Sequence, residues 1–91
     1  MVTQSNTART VALDFYEAIA KTLEVLYWRW QDEKEYENIE DYRLPLEAAA
    51  KARGVTITKM TKRPFGLLFT TPQGSYKADV TRKGVSYKRI A

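Results

Sequence analysis

From Thr7 to about Trp30 the apolar residues recur at intervals of three and four: Val11, Phe15, Ile19, Leu23, Leu26 and Trp30, with Ala12, Tyr16 and Tyr27 beside them. Projected at about 100° per residue they share one arc of roughly 160°, and Asp14, Glu17, Lys21 and Glu24 lie opposite. This spacing predicts a long amphipathic helix over 7–37, started by Thr7 or Ser5 as N-cap and continued for about two turns into the acidic stretch QDEKEYENIED. Residues 1–6 read as a polar, frayed tail. A second, short helix is predicted over 45–53. Pro45 suits a first helical turn, the run of alanines favours helix, Lys51 and Arg53 suit the negative end of the dipole, and Gly54 closes it.

After Gly54 the period falls to two. Val55 and Ile57 alternate with threonines; Phe65, Leu67 and Phe69 form a second set, Tyr76, Ala78 and Val80 a third, Val85 and Tyr87 a fourth. Thr71-Pro72-Gln73-Gly74 and Thr81-Arg82-Lys83-Gly84 each carry Gly where a type I turn followed by a left-handed residue needs it, which predicts tight hairpins. The connection through Arg63-Pro64 is less regular. The expectation is an α+β domain: two helices packed on one face of a four-stranded antiparallel meander over 55–90.

Length and composition allow this. Ninety-one residues, 44% of them hydrophobic, suit one domain with its own core, near the lower size limit for a core without staples. With no cysteine there is neither disulfide nor thiolate chemistry. The first residues, MVTQSNTART, lack the charged and apolar regions of a leader, and no apolar run has the length of a membrane span. A soluble cytoplasmic protein without membrane contact is the expectation.

Charge changes the picture more than composition does. Residues 1–50 hold five basic side chains against ten carboxylates, a net of −5, while residues 51–91 hold ten against Asp79 alone, a net of +9, so the overall +4 hides two opposed halves. A dense positive surface attracts polyanions. In a meander the first and third bends share one end of the sheet. Lys62 and Arg63 in the first, Arg82 and Lys83 in the third, and Lys59 near the end of the first strand should therefore converge. Lys51, Arg53, Lys88 and Arg89 should gather at the other end, with Lys77 on the exposed face. The polyanion-binding set is Lys59, Lys62, Arg63, Lys77, Arg82, Lys83 and Lys88, and nucleic acid is the first partner it suggests. The alternatives are an acidic protein partner, a solvated surface that protects sheet edges, or an acidic helix that neutralises a basic sheet within one molecule.

The segment from Arg63 to Thr70 has a basic residue first and Phe65 third, as the octamer of RRM-type RNA-binding domains does. Leu67 and Thr70, however, stand where that octamer carries aromatics, and Pro64 replaces its glycine. Family membership does not follow. Phe65 and Phe69 read as core residues, so contact through charge and shape is expected in place of sequence readout.

Trp28 lies about 160° from Trp30 on the helical wheel, with Val25 one turn away on nearly the same side. Two readings stay open: cover by the second helix or by the segment holding Tyr36, Ile39 and Tyr42, or an intermolecular contact, including a homodimer, through Val25 and Trp28. The acidic run of residues 32–41 reads as a solvated helix end or a docking surface for a basic protein, and it lacks the loop pattern of a calcium site. Catalysis is not expected. There is no histidine base and no thiolate, no Gly-rich phosphate loop and no dinucleotide fingerprint, so neither cofactor nor metal is implied.

Overall fold

The computed structural model describes residues 10–91. Thr10 opens the first helix, α1 (Val11–Glu33): its backbone is extended and its hydroxyl accepts the Leu13 N–H at 3.0 Å. The predicted tail and the caps at Ser5 and Thr7 lie outside the described residues. Ala12, Phe15, Ile19, Leu23, Leu26 and Trp30 are buried along one face, with Val11, Tyr16 and Tyr27 half-buried at its margins.

The C-terminal boundary differs from the expected residue 37. Lys34 closes the helix and Tyr36 turns back to donate to the Glu33 carbonyl at 2.8 Å. No basic residue lies in the last helical turn. Continuing through Glu35 and Glu37 would have stacked further carboxylates on the negative end of the dipole. The chain instead enters a 3₁₀ turn, Ile39–Arg43, begun by the Asn38 side chain accepting the Glu40 N–H at 2.9 Å. That turn buries Ile39 and Tyr42, and Tyr42 meets Trp30 edge to face at 5.5 Å. It runs directly into α2 (Leu44–Ala52), which has Pro45 in its first turn.

Four strands follow: β1 (Thr56–Lys62), β2 (Phe65–Thr71), β3 (Gly74–Thr81) and β4 (Gly84–Arg89). They pair antiparallel in the order β1-β2-β3-β4, the predicted meander. Thr71 pairs with Gly74 and Thr81 with Gly84, leaving the two-residue loops Pro72-Gln73 and Arg82-Lys83. No non-glycine residue among those described has positive φ; Gly74 and Gly84, at φ 148° and 128°, absorb the reversal where a side chain would be strained. The β1–β2 bend crosses a cis Arg63–Pro64 bond.

One face of the sheet carries Ile57, Met60, Phe65, Leu67, Phe69, Tyr76, Ala78 and Val80 into the core beneath α1. Phe15 meets Phe69 edge to face at 4.9 Å, and Tyr42 meets Phe65 at 5.9 Å. Each large side chain so buried contributes about 1.5 to 3 kcal/mol. Both sheet edges are engaged by the helical layer. Arg43 donates to the Ile57 carbonyl and Glu40 accepts the Met60 N–H at the β1 edge; Tyr16 donates to the Val85 carbonyl at 2.6 Å on β4. No helix among the described residues is long and apolar enough to cross a membrane.

Candidate nucleic-acid interface

The first and third bends of the meander adjoin because the strands between them are in register: Lys62 pairs with Phe65, Phe65 with Val80, and Val80 with Val85. Between these bends and the C-terminal part of α1 lies a groove. Lys62, Arg63, Arg82 and Lys83 rim it, Pro64, Phe65 and Val80 floor it, and Tyr27 and Gln31 of α1 form its wall. Four of the five cations expected to converge therefore do so on one concavity.

Lys59 sits on the other flank of the Lys62–Arg63 bend, in a depression shared with Ile39 and Glu40. Its position follows from a β-bulge. The β1–β2 register shifts between Ile57 and Lys59, so Thr58 and Lys59 together oppose Leu68 and the next inward side chain is Met60. Strict alternation from Val55 and Ile57 would have pointed Lys59 into the core. Lys34 is an addition that the acidic run around it concealed: it shares a third depression with Trp30, Glu37, Lys62 and Arg63.

Lys77 and Lys88 are placed elsewhere. They oppose one another across β3 and β4 on the sheet face turned away from α1, since Tyr76, Ala78 and Val80 fill the other face. Lys77 lies 3.9 Å from Asp79, whose Oδ1 is shielded from water and has no hydrogen-bond partner among the described residues.

The acidic half makes no direct ion pair with this rim among the described residues. Glu37 accepts from Arg29 Nε at 3.0 Å and, by a second oxygen, pairs with Arg29 Nη2; the Tyr42 hydroxyl donates to it as well. Glu40 pairs with Arg43, which also approaches Glu47 at 3.9 Å, and Asp14 receives Arg53 Nε at 2.9 Å. Of the ten basic residues from Lys51 onward, only Arg53 and Lys77 stand within 4.0 Å of a carboxylate among the described residues. The N-terminal carboxylates that are paired are held chiefly by N-terminal arginines, and among the described residues the groove cations form no ion pair.

These pairings fix protonation. Hydrogen bonds from Arg29 and then Tyr42 hold the Glu37 carboxyl below its usual value of 4.5. Burial pushes the Tyr42 hydroxyl up to about 12, and its bond to Glu37 adds to the effect. Burial opposes ionisation of Glu40, but the Arg43 bond, the Met60 N–H and the charges of Arg43 and Lys59 together lower its pKa. A carboxyl with a depressed folded pKa contributes stability that is fully present above its unfolded value and lost as pH falls through the folded one. The urea midpoint should therefore fall below about pH 4.5. Glu37→Gln should flatten that acid limb, and an unchanged limb would show that the Arg29–Glu37–Tyr42 group contributes nothing to it.

Val25 and Trp28 are 68% and 56% exposed on the outer side of α1. The proposed cover for Trp28 is absent: Ile39 and Tyr42 pack on the Trp30 side, and Tyr36 is itself exposed. Trp28 touches Tyr27, with ring centroids 4.9 Å apart and planes at 77°, and Tyr27 in turn meets Phe65 at 6.1 Å. Phe65 and Phe69, the two aromatics of the RRM-like octamer, are buried at 2% and 0% exposure and offer no stacking surface. Among the described residues no three Asp or Glu side chains are grouped to hold a metal ion.

No family model matches the chain, and neither a curated protein nor a solved structure does.

Proposed function

We propose that the chain is a non-enzymatic binding module that engages a polyanion, a nucleic acid, at the groove between α1 and the first and third bends of the sheet. One observation carries this reading. Lys62, Arg63, Arg82 and Lys83 converge on one concavity without carboxylate partners among the described residues, while Arg29, Arg43 and Arg53 take up acids elsewhere. Uncompensated cations held at fixed spacing release counterions when phosphates replace solvent, and that release drives affinity. The contact is through charge and shape. The sheet aromatics that could read bases are in the core, and the rim side chains suit phosphate oxygens.

Salt dependence tests it. Four phosphate contacts give a slope of log K against log salt of about −2.8 for a single strand and about −3.6 for a duplex. Affinity should then fall roughly 50- to 150-fold between about 50 and 200 mM salt. Absence of binding at the lower salt, or a flat salt response, would remove the proposal.

A second reading is favoured by the exposure of Val25 and Trp28 beside the acidic segment 32–41: a protein-interaction or assembly subunit, a homodimer included. It predicts a mass that rises with protein concentration and is insensitive to salt, measured by sedimentation equilibrium.

A further inference from the structure

We infer that the groove takes a single strand, with one base stacked on the exposed ring of Trp28. The inference rests on the proposed polyanion reading and narrows it to a class of nucleic acid. Three observations meet here. The cations surround a hollow and do not crown a projecting element: the Arg82-Lys83 loop has only two residues, and Tyr27 and Gln31 of α1 stand beside it as a wall. A stiff duplex rod can meet only the outer edge of such a concavity. A flexible strand can lie in the hollow with its phosphates against the rim.

The second observation is the path of aromatic contact out of the groove. Phe65 lies in its floor, Tyr27 packs against Phe65 on its wall, and Trp28 packs against Tyr27. The Tyr27 contact restrains the Trp28 ring, so an indole face stands one aromatic contact beyond the groove wall at reduced cost in side-chain entropy. The third is that Trp28, 56% exposed, is not covered by any other element among the described residues. A cationic groove with an exposed indole joined to its wall through Tyr27 is the combination that single-strand binders use: the charges track the backbone and the ring stacks a base of any identity. A basic protein partner would be repelled by the same rim.

Fluorescence separates the possibilities. The full chain is titrated at low salt with a short oligothymidylate, with the same strand lacking its bases, and with a duplex of equal length. Trp30 is 7% exposed and packed on Tyr42, so it supplies a constant background. The oligothymidylate should quench the exposed indole, and the abasic strand should bind more weakly without quenching. Trp28→Ala should weaken the oligothymidylate by about tenfold and leave the abasic strand unchanged, whereas Trp28→Phe should retain most of the affinity without the quench. Circular dichroism of both variants should match the parent, because the ring is more than half exposed. Equal affinity for duplex and single strand, unaffected by Trp28→Ala, would overturn the stacking while leaving the cationic groove in place. Failure of all three nucleic acids to bind would overturn both.

Discussion

Reversing Arg82 and Lys83 together to glutamate should abolish nucleic-acid binding at physiological salt and leave the fold intact. Two of the four rim cations are lost, so the salt slope of any residual binding should fall by about 1.4 to 1.8, and two carboxylates now face the phosphates. Because the two new carboxylates also repel the phosphates, the combined loss at physiological salt should exceed tenfold, and it should be larger still at low salt, where counterion release contributes most. The fold should survive for a local reason. Arg82 and Lys83 are exposed, occupy the centre of a loop at ordinary negative φ, and make no ion pair among the described residues. The bond that shapes the loop runs from the Lys83 backbone N–H to Thr81 Oγ1 and does not involve either side chain. Lys62→Glu with Arg63→Glu should act alike from the opposite rim. The informative control is Lys77→Glu with Lys88→Glu, which changes net charge equally on the other face of the sheet. Equilibrium binding by fluorescence anisotropy at several salt concentrations distinguishes them. If the control abolished binding as completely as the rim variants, the contact surface would be the open sheet face, or merely net charge.

The convergence of those four cations was legible before any coordinates, because it needs only a strand period of two and the alternation of bends in a meander. Phe65 and Phe69 were legible as core residues on the same ground. What escaped was decided by tertiary contacts. The 3₁₀ turn Ile39–Arg43 lies in a run too polar to show a period, and it forms because Ile39 and Tyr42 find Trp30 and Phe65. Its arginine and glutamate then occupy the β1 edge, so charges that read as solvated became backbone partners of Ile57 and Met60. The bulge at Thr58–Lys59 carries no Gly or Pro to announce it, and it decides on which side of the bend Lys59 stands. Lys77 on the open sheet face was legible too, from the period of two along its strand. For Trp28 the wheel showed only that the core did not claim it; whether anything else covered it depended on where the chain turned after Glu33.

Gly66→Ala should be the most destabilising of the chain's Gly→Ala substitutions. A Cβ built on Gly66 lies 1.9 Å from the Ala78 carbonyl oxygen and 3.0 Å from Asp79 Cα, and neither can swing aside because both belong to the β3 backbone. Gly66 has ordinary backbone angles, so the requirement is one of space: β2 and β3 approach too closely here for any side chain. Relieving the overlap means parting the two central strands, at a cost of about 3 kcal/mol or more, against which the gain of Ala over Gly in a strand is under ~1 kcal/mol. For a domain of this size that corresponds to a fall in Tm of roughly 12 to 24 °C. Gly84→Ala is the matched comparison. Its Cβ would meet nothing within 4 Å, and only its φ of 128° resists substitution, so the loss should be about 1 to 2 kcal/mol. Thermal melts followed by circular dichroism decide the matter, and a Gly66→Ala protein melting with the parent would refute the steric requirement. The same strand separation reaches the groove, because the Gly66–Asp79 pair is next to Phe65–Val80, from which the Lys62–Arg63 and Arg82–Lys83 bends depart. Spreading that pair moves the two halves of the cationic rim apart. Below its melting temperature Gly66→Ala should therefore also bind oligonucleotide more weakly than Gly84→Ala, although neither substitution alters a charge.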